Sequence, residues 1–175
     1  MRRLALLRHA KAAPQGGGDD HGRPLALLGR EAAPRVGAWL KASGISPALT
    51  LVSDARRTRE TFDLLAAAFG GALAMRLEPR IYNATARTLL DLVRATPAKV
   101  PALMLVGHNP GLAELAMRLA GGGGDSQAEA RLRAGFPTAS VAILDFDANA
   151  WPDIAHGTGR LASFATPAEM GGGAA

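Results

Sequence analysis

The stretch Leu4-Ala5-Leu6-Leu7-Arg8-His9-Ala10 points to the architecture of the whole chain. Four apolar residues in a row, closed by Arg-His, suit a buried central strand. A loop rich in Gly, Pro and Asp comes next, over 14–24. Ala33, Val36, Trp39 and Leu40 then fall at helical spacing. They predict an amphipathic helix that stops near Gly44, with Pro34 in its first turn or kinking it. Leu49–Val52 reads as a second strand, and Phe62, Leu65, Ala66 and Phe69 as a helix ended by Gly70-Gly71. A short strand is expected at 73–76, then a helix carrying Ala86, Leu89, Leu90 and Val93 and closed by Pro97. Residues 102–106 form the second strongly apolar strand. Asn109 reads as an N-cap with Pro110 at the first helical position, and Leu112, Leu115, Ala116 and Leu119 as the buried face. The segment from Gly121 to Gly124 and the polar residues after it read as a flexible loop, and 140–146 and 158–164 as the last strands.

Strands alternating with helices predict an α/β fold: a largely parallel central sheet with helices on both faces. The expected layout is a single domain over 1–166 and a flexible tail over 167–175. Ligands of such sheets bind at the carboxyl ends of the strands. The loops after Leu7, Val52 and Val106 should therefore meet, and they hold the unusual residues.

Composition narrows the classes further. Hydrophobic residues make up 48% and charged residues 20% of the 175, a globular balance, while aromatics at 5% leave the core to Leu, Val, Ile and Ala. The formal net charge of +5 favours anionic partners. Its arginines are scattered and not interleaved with aromatics, which argues against nucleic acid. There is no cysteine, so disulfides and thiolate nucleophiles are excluded. The apolar run at 4–7 is too short for a signal peptide, and Gly70-Gly71 interrupts the quiet stretch from Leu64 to Met75; no membrane association and a cytoplasmic location are expected.

Three segments carry chemistry. Arg8-His9 ends the first strand, a position poorly explained by core packing. Gly107-His108-Asn109-Pro110-Gly111 repeats the situation before a helix N-terminus, where backbone N–H groups favour anions, although a plain turn and cap explains it equally well. Ser53-Asp54-Ala55-Arg56-Arg57-Thr58-Arg59-Glu60-Thr61 sets three arginines where a helix begins, either as a solvated face or as phosphate ligands. Two histidines and two arginines converging on one pocket describe a phosphate site. No Walker loop and no G-x-S-x-G elbow is present, and the four histidines show no metal-ligand spacing. No metal and no cofactor are expected. His21 and His156 read as surface residues; Lys11, Thr138 and Ser140 are candidate borders of the site.

Leu7-Arg8-His9-Ala10, the Ser53–Thr61 segment and Val106-Gly107-His108 together resemble the histidine phosphatase superfamily. The short chain, Arg23-Pro24-Leu25 with Gly29, Glu78 with Ile81-Tyr82-Asn83-Ala84, and Pro137-Thr138-Ala139 are similar to its SixA-type phosphohistidine phosphatases. The resemblance implies a phosphoglycerate-mutase-like fold, with His9 as nucleophile, Arg8 and Arg57 as phosphate ligands and His108 as the second histidine. Arg56 is the neighbouring alternative to Arg57. Arg23 would lie in a loop over the substrate, and Glu78 is the candidate general acid or substrate contact. The implied substrate is a phosphohistidine in a protein. A general small-molecule phosphomonoesterase or mutase, and a non-catalytic phosphate-binding module, are the alternatives. A monomer is slightly favoured. Arginines beside an imidazole nucleophile should keep it neutral.

Overall fold

Along the first strand, β1 (Arg2–Arg8), Leu4 and Leu6 point into one core and Ala5 and Leu7 into another. The computed structural model describes residues 1–171 and explains the unbroken apolar run: both faces of the sheet are covered. The other strands are β2 (Leu49–Val52), β3 (Met75–Leu77), β4 (Ala102–Gly107), β5 (Val141–Phe146) and β6 (Gly159–Ala165). They form one sheet in the order β3-β2-β4-β1-β5-β6. Pairing is parallel from β3 to β1, and β5 is antiparallel to both β1 and β6. One strand of six therefore runs against the rest, as a largely parallel α/β domain requires.

The helices are α1 (Leu27–Ala42), α2 (Arg56–Ala66), α3 (Ala86–Arg94), α4 (Gly111–Leu119), α5 (Ser126–Ala134) and α6 (Pro167–Met170). One core joins Val36 and Leu40 of α1 and Phe62 and Leu65 of α2 to Met104 and Val106. The opposite core joins Leu89 and Val93 of α3, Leu112 and Leu115 of α4, and Ala128 and Leu132 of α5 to Leu103 and Leu105. Among the described residues no helix is long and apolar enough to cross a membrane.

Several boundaries differ from the sequence expectation, each for a physical reason. Helix α1 starts at Leu27, so Pro34 lies well inside it. Pro34 and Arg30 are both exposed, so water can satisfy the carbonyl that proline leaves without a donor. Strand β3 is shifted to Met75–Leu77. Asn109 does not cap α4; the helix begins at Gly111, and Asn109 Nδ2 donates instead to the Phe136 carbonyl at 2.9 Å. The polar segment after Gly124 is not a loop but α5, capped by Asp125, whose side chain accepts from Gln127 N and Ala128 N. The start of the expected tail, Pro167–Met170, is a helical turn packed against α1, and 172–175 lie outside the described residues.

Close packing of α1 on α2 depends on Gly37. A Cβ there would stand 2.2 Å from the Leu65 carbonyl oxygen, which is backbone and cannot swing aside. Helix propensity alone would make Gly37→Ala stabilising by about 1 kcal/mol. The structure reverses the sign: a loss on the order of 3 kcal/mol is expected in chemical denaturation, from the mechanism of overpacking.

Candidate active site

Strand register brings the three expected loops to one level. Leu7 pairs with Val106 and Val52 with Val106 across the sheet, so His9, Ser53 and His108 lie just past adjacent strand ends. The His9 N–H donates to the Gly107 carbonyl, and the Ala139 N–H donates to the carbonyls of Arg8 and His9. Ala139 adopts a left-handed conformation (φ 60) to do so, a strained backbone that packing holds in place. The end of β1 is thus pinned from both sides.

His9 and His108 are each 7% exposed, with ring centroids 5.2 Å apart. His9 Nδ1 lies 2.8 Å from the Ala10 carbonyl, which can only accept, so Nδ1 carries the proton and Nε2 carries the lone pair. Arg57 Nε–H points at that Nε2 from 3.3 Å. The same guanidinium donates to His108 Nδ1 at 3.2 Å, so the His108 proton sits on Nε2 and goes to Ser53 Oγ at 2.8 Å. Arg57, 4% exposed, is the hub of the pair.

Burial is the main cause that drives the His9 pKa down to about 4, with Arg57, Arg8 and Arg23 adding to it against the bond to Ala10. For His108 burial again leads, the His9 and Arg57 charges come next, and the value falls to about 3 although Asp20 opposes. Both rings are therefore neutral at pH 7, and His9 Nε2 keeps an unprotonated lone pair that faces Arg57. The unfolded chain binds protons near 6.5 that the native rings refuse, so these two groups make stability fall as pH drops from about 6.5 toward 4. Long-range ¹⁵N NMR should show His9 as the Nδ1–H and His108 as the Nε2–H tautomer down to about pH 5. Protonation of either ring near 6.5 would contradict the geometry.

Residues 4–89 match the family model of the histidine phosphatase superfamily (branch 1). Two solved structures assigned as SixA phosphohistidine phosphatases superpose over nearly the whole length. The one from Nakamurella multipartitia is 30% identical, with a TM-score of 0.81 over 95% of this chain and 96% of its own. The one from Agrobacterium tumefaciens is 32% identical, with a TM-score of 0.80 over 95% and 98%. The chain belongs to the histidine phosphatase superfamily. An uncharacterised protein of Mycobacterium tuberculosis is 35% identical over 92% of this chain and 99% of its own length. The family match contains His9 and Arg57, whereas His108 lies beyond residue 89 and reaches the site through the fold.

In this superfamily member the other sequence candidates separate into two groups. Arg8, Arg23, Lys11 and Thr138 border the same cleft as His9, Arg57 and His108. Arg8 is oriented by the Phe136 carbonyl, to which its guanidinium donates at 2.9 Å. Arg56 does not enter; it is exposed and paired with Glu60 at 2.7 Å. Glu78 does not border the cleft either. Arg80 binds its carboxylate twice, at 2.7 and 2.8 Å, and with Arg76 holds its pKa below the usual range. A glutamate so held is a poor proton donor.

Asp20 is a residue that sequence reasoning missed, and Tyr82, present there only within a motif, had no role. The Asp20 carboxylate accepts from Arg57 at 3.1 Å, from Arg23 at 2.8 Å and from the Tyr82 hydroxyl at 2.7 Å. Tyr82, then Arg57 and Arg23, bring its pKa down to about 2 despite the cost of burial. Asp20 thus clamps Arg57 in the orientation that faces both histidines, helped by its own carbonyl, which accepts from Arg57 at 2.7 Å. His21, read from sequence as a surface residue, is half-buried: it bonds Asp54 at 2.9 Å and meets the Tyr82 ring edge-on. A carboxylate three residues before Arg23-Pro24 was the available signal, and it lay in a glycine-rich loop where charge usually means solvent.

Proposed function

We propose that the protein removes the phosphoryl group of a phosphohistidine in a protein, through a covalent phospho-His9. The observation that carries this reading is the pairing of a neutral, oriented His9 with a cleft whose bordering side chains are basic or neutral. His9 Nε2 gives its electron pair to phosphorus as the P–N bond to the substrate imidazole breaks. The bonding pair of the broken P–N bond goes to the leaving nitrogen, and the ring departs as neutral imidazole when solvent has already protonated its other nitrogen, the phosphoimidazolium form. Arg8 and Arg57 receive the phosphoryl oxygens and stabilise their charge in transit, while His108 Nδ1, which accepts from Arg57, helps hold that guanidinium in place. Water then attacks phosphorus, the P–Nε2 bond breaks, and one water proton leaves with the products.

Leaving-group chemistry favours the phosphoramidate over an ester. An alkoxide needs a proton from the enzyme, and general acids contribute about 10²–10⁴-fold. Glu78 is locked to Arg80, and Asp20 is ionised at neutral pH, so neither supplies one. A phosphoimidazole ring takes its proton from solvent before the P–N bond breaks, so it needs no acid from the enzyme. The test compares kcat/KM on a phosphohistidine peptide and on an alkyl phosphate, with chelator present. A preference of ~10²-fold or more for the peptide is expected. Equal rates on the two would overturn the assignment in favour of a general phosphomonoesterase.

A further inference from the structure

Leu27 and Leu28 stand 73% and 68% exposed at the start of α1. The fold does not use them to seat the helix. Gly29 does that, since a Cβ at this position would lie 2.1 Å from the Lys11 carbonyl oxygen. Leu28 instead walls a groove with Ala32 and Pro167, edged by Lys11 and Arg35 on the basic side and by Glu31. Lys11 and Thr138 border this groove and also the cleft that holds His9. The two depressions therefore adjoin across one shared rim. A phosphorylated side chain reaching His9 from a polypeptide brings neighbouring residues across that rim, whereas a small phosphorylated metabolite would leave the groove empty.

We propose that this groove docks the polypeptide segment that carries the phosphohistidine, with Leu28, Ala32 and Pro167 receiving an apolar side chain about one helical turn from the modified residue. The proposal rests on the phosphohistidine reading above. Two depressions that share Lys11 and Thr138 call for neighbouring side chains on one face of the segment, as residues three or four positions apart on a helix are. Lys11 and Arg35 suit a segment whose polar residues are acidic. The Gly-Gly-Gly-Ala-Ala run after Met170 has no side chain larger than a methyl to fill the groove.

The experiment uses two synthetic helix-forming phosphohistidine peptides, one with leucine four residues after the modified histidine and one with serine there. Wild type and Leu28→Ser are compared on both and on phosphoramidate itself. Leu28 is exposed, so its replacement leaves the core untouched. Leu28→Ser is expected to lower kcat/KM for the leucine peptide ~10-fold or more, through KM, as burial of one leucine predicts. The serine peptide and phosphoramidate should be unaffected. Unchanged kcat/KM for the leucine peptide overturns the docking proposal alone, and a dimer that Leu28→Ser dissolves would then make a second copy the occupant. Wild type that releases phosphate from an aryl ester but from neither peptide sinks the docking proposal together with the phosphohistidine reading.

Discussion

His9→Ala is expected to abolish phosphate release from phosphoramidate or a phosphohistidine peptide, by roughly 10⁴-fold or more, the scale on which losing a nucleophile acts in covalent enzymes. The reason is positional as much as chemical. The bond from Nδ1–H to the Ala10 carbonyl leaves Nε2 as the only nitrogen of His9 able to attack, and the 3.3 Å approach of Arg57 shows which way it faces. Alanine removes a ring that burial already disfavours in its charged form, so the fold should survive and the loss should be kinetic. Rapid quenching with a ³²P-labelled substrate gives the sharper measurement. Wild type should yield acid-labile, alkali-stable labelled protein, the signature of an N–P bond, and His9→Ala should yield none. Label retained in His9→Ala, or a rate above ~1% of wild type, would move the nucleophile elsewhere. The obvious second location is His108, whose Nδ1 lone pair also faces Arg57 and whose Nε2 proton goes to Ser53.

Much of this site is legible in the sequence because its parts sit at strand ends, where an apolar run stops. The runs at 4–7 and 102–106 are apolar on both faces since α1 and α2 cover one and α3, α4 and α5 the other. Residues just after such a run must lie at the sheet's carboxyl edge, and there stand Arg8-His9 and His108. Helix α5 escaped because only Ala128 and Leu132 are buried, one turn apart, too few for a period to show. The Asp20 clamp escaped for another reason. Its partners Arg57 and Tyr82 are 37 and 62 residues away, and no local pattern encodes such a bond. Glu78 shows the reverse case: order in the sequence placed it near the site, yet Arg76 and Arg80, its close neighbours in the chain, took its charge.

Arg57 carries the second large effect, and the comparison with Arg56 separates position from charge. The two residues are adjacent and identical in chemistry. Arg56 is exposed and paired with Glu60, an i, i+4 surface contact worth less than about 1 kcal/mol, so Arg56→Ala should leave kcat/KM within about twofold of wild type. Arg57 instead aims Nε at His9, and spreads its terminal nitrogens over His108, the Asp20 carboxylate and the Asp20 carbonyl. Lysine would keep the charge but not a planar fork that serves those partners at once. Arg57→Lys is therefore expected to cost ~10²–10³-fold in kcat/KM, the size of one lost transition-state donor, with the native fold retained. Arg57→Ala should cost more and leave a second trace. Removing this charge withdraws one of the causes that hold the His9 pKa near 4, so its protonation should move up toward the ordinary histidine range. A titration of His9 in Arg57→Ala that matches wild type would show that the guanidinium does not act on the nucleophile. Equal losses in Arg56→Ala and Arg57→Ala would show that net positive charge, rather than the fork held by Asp20, is what the site uses.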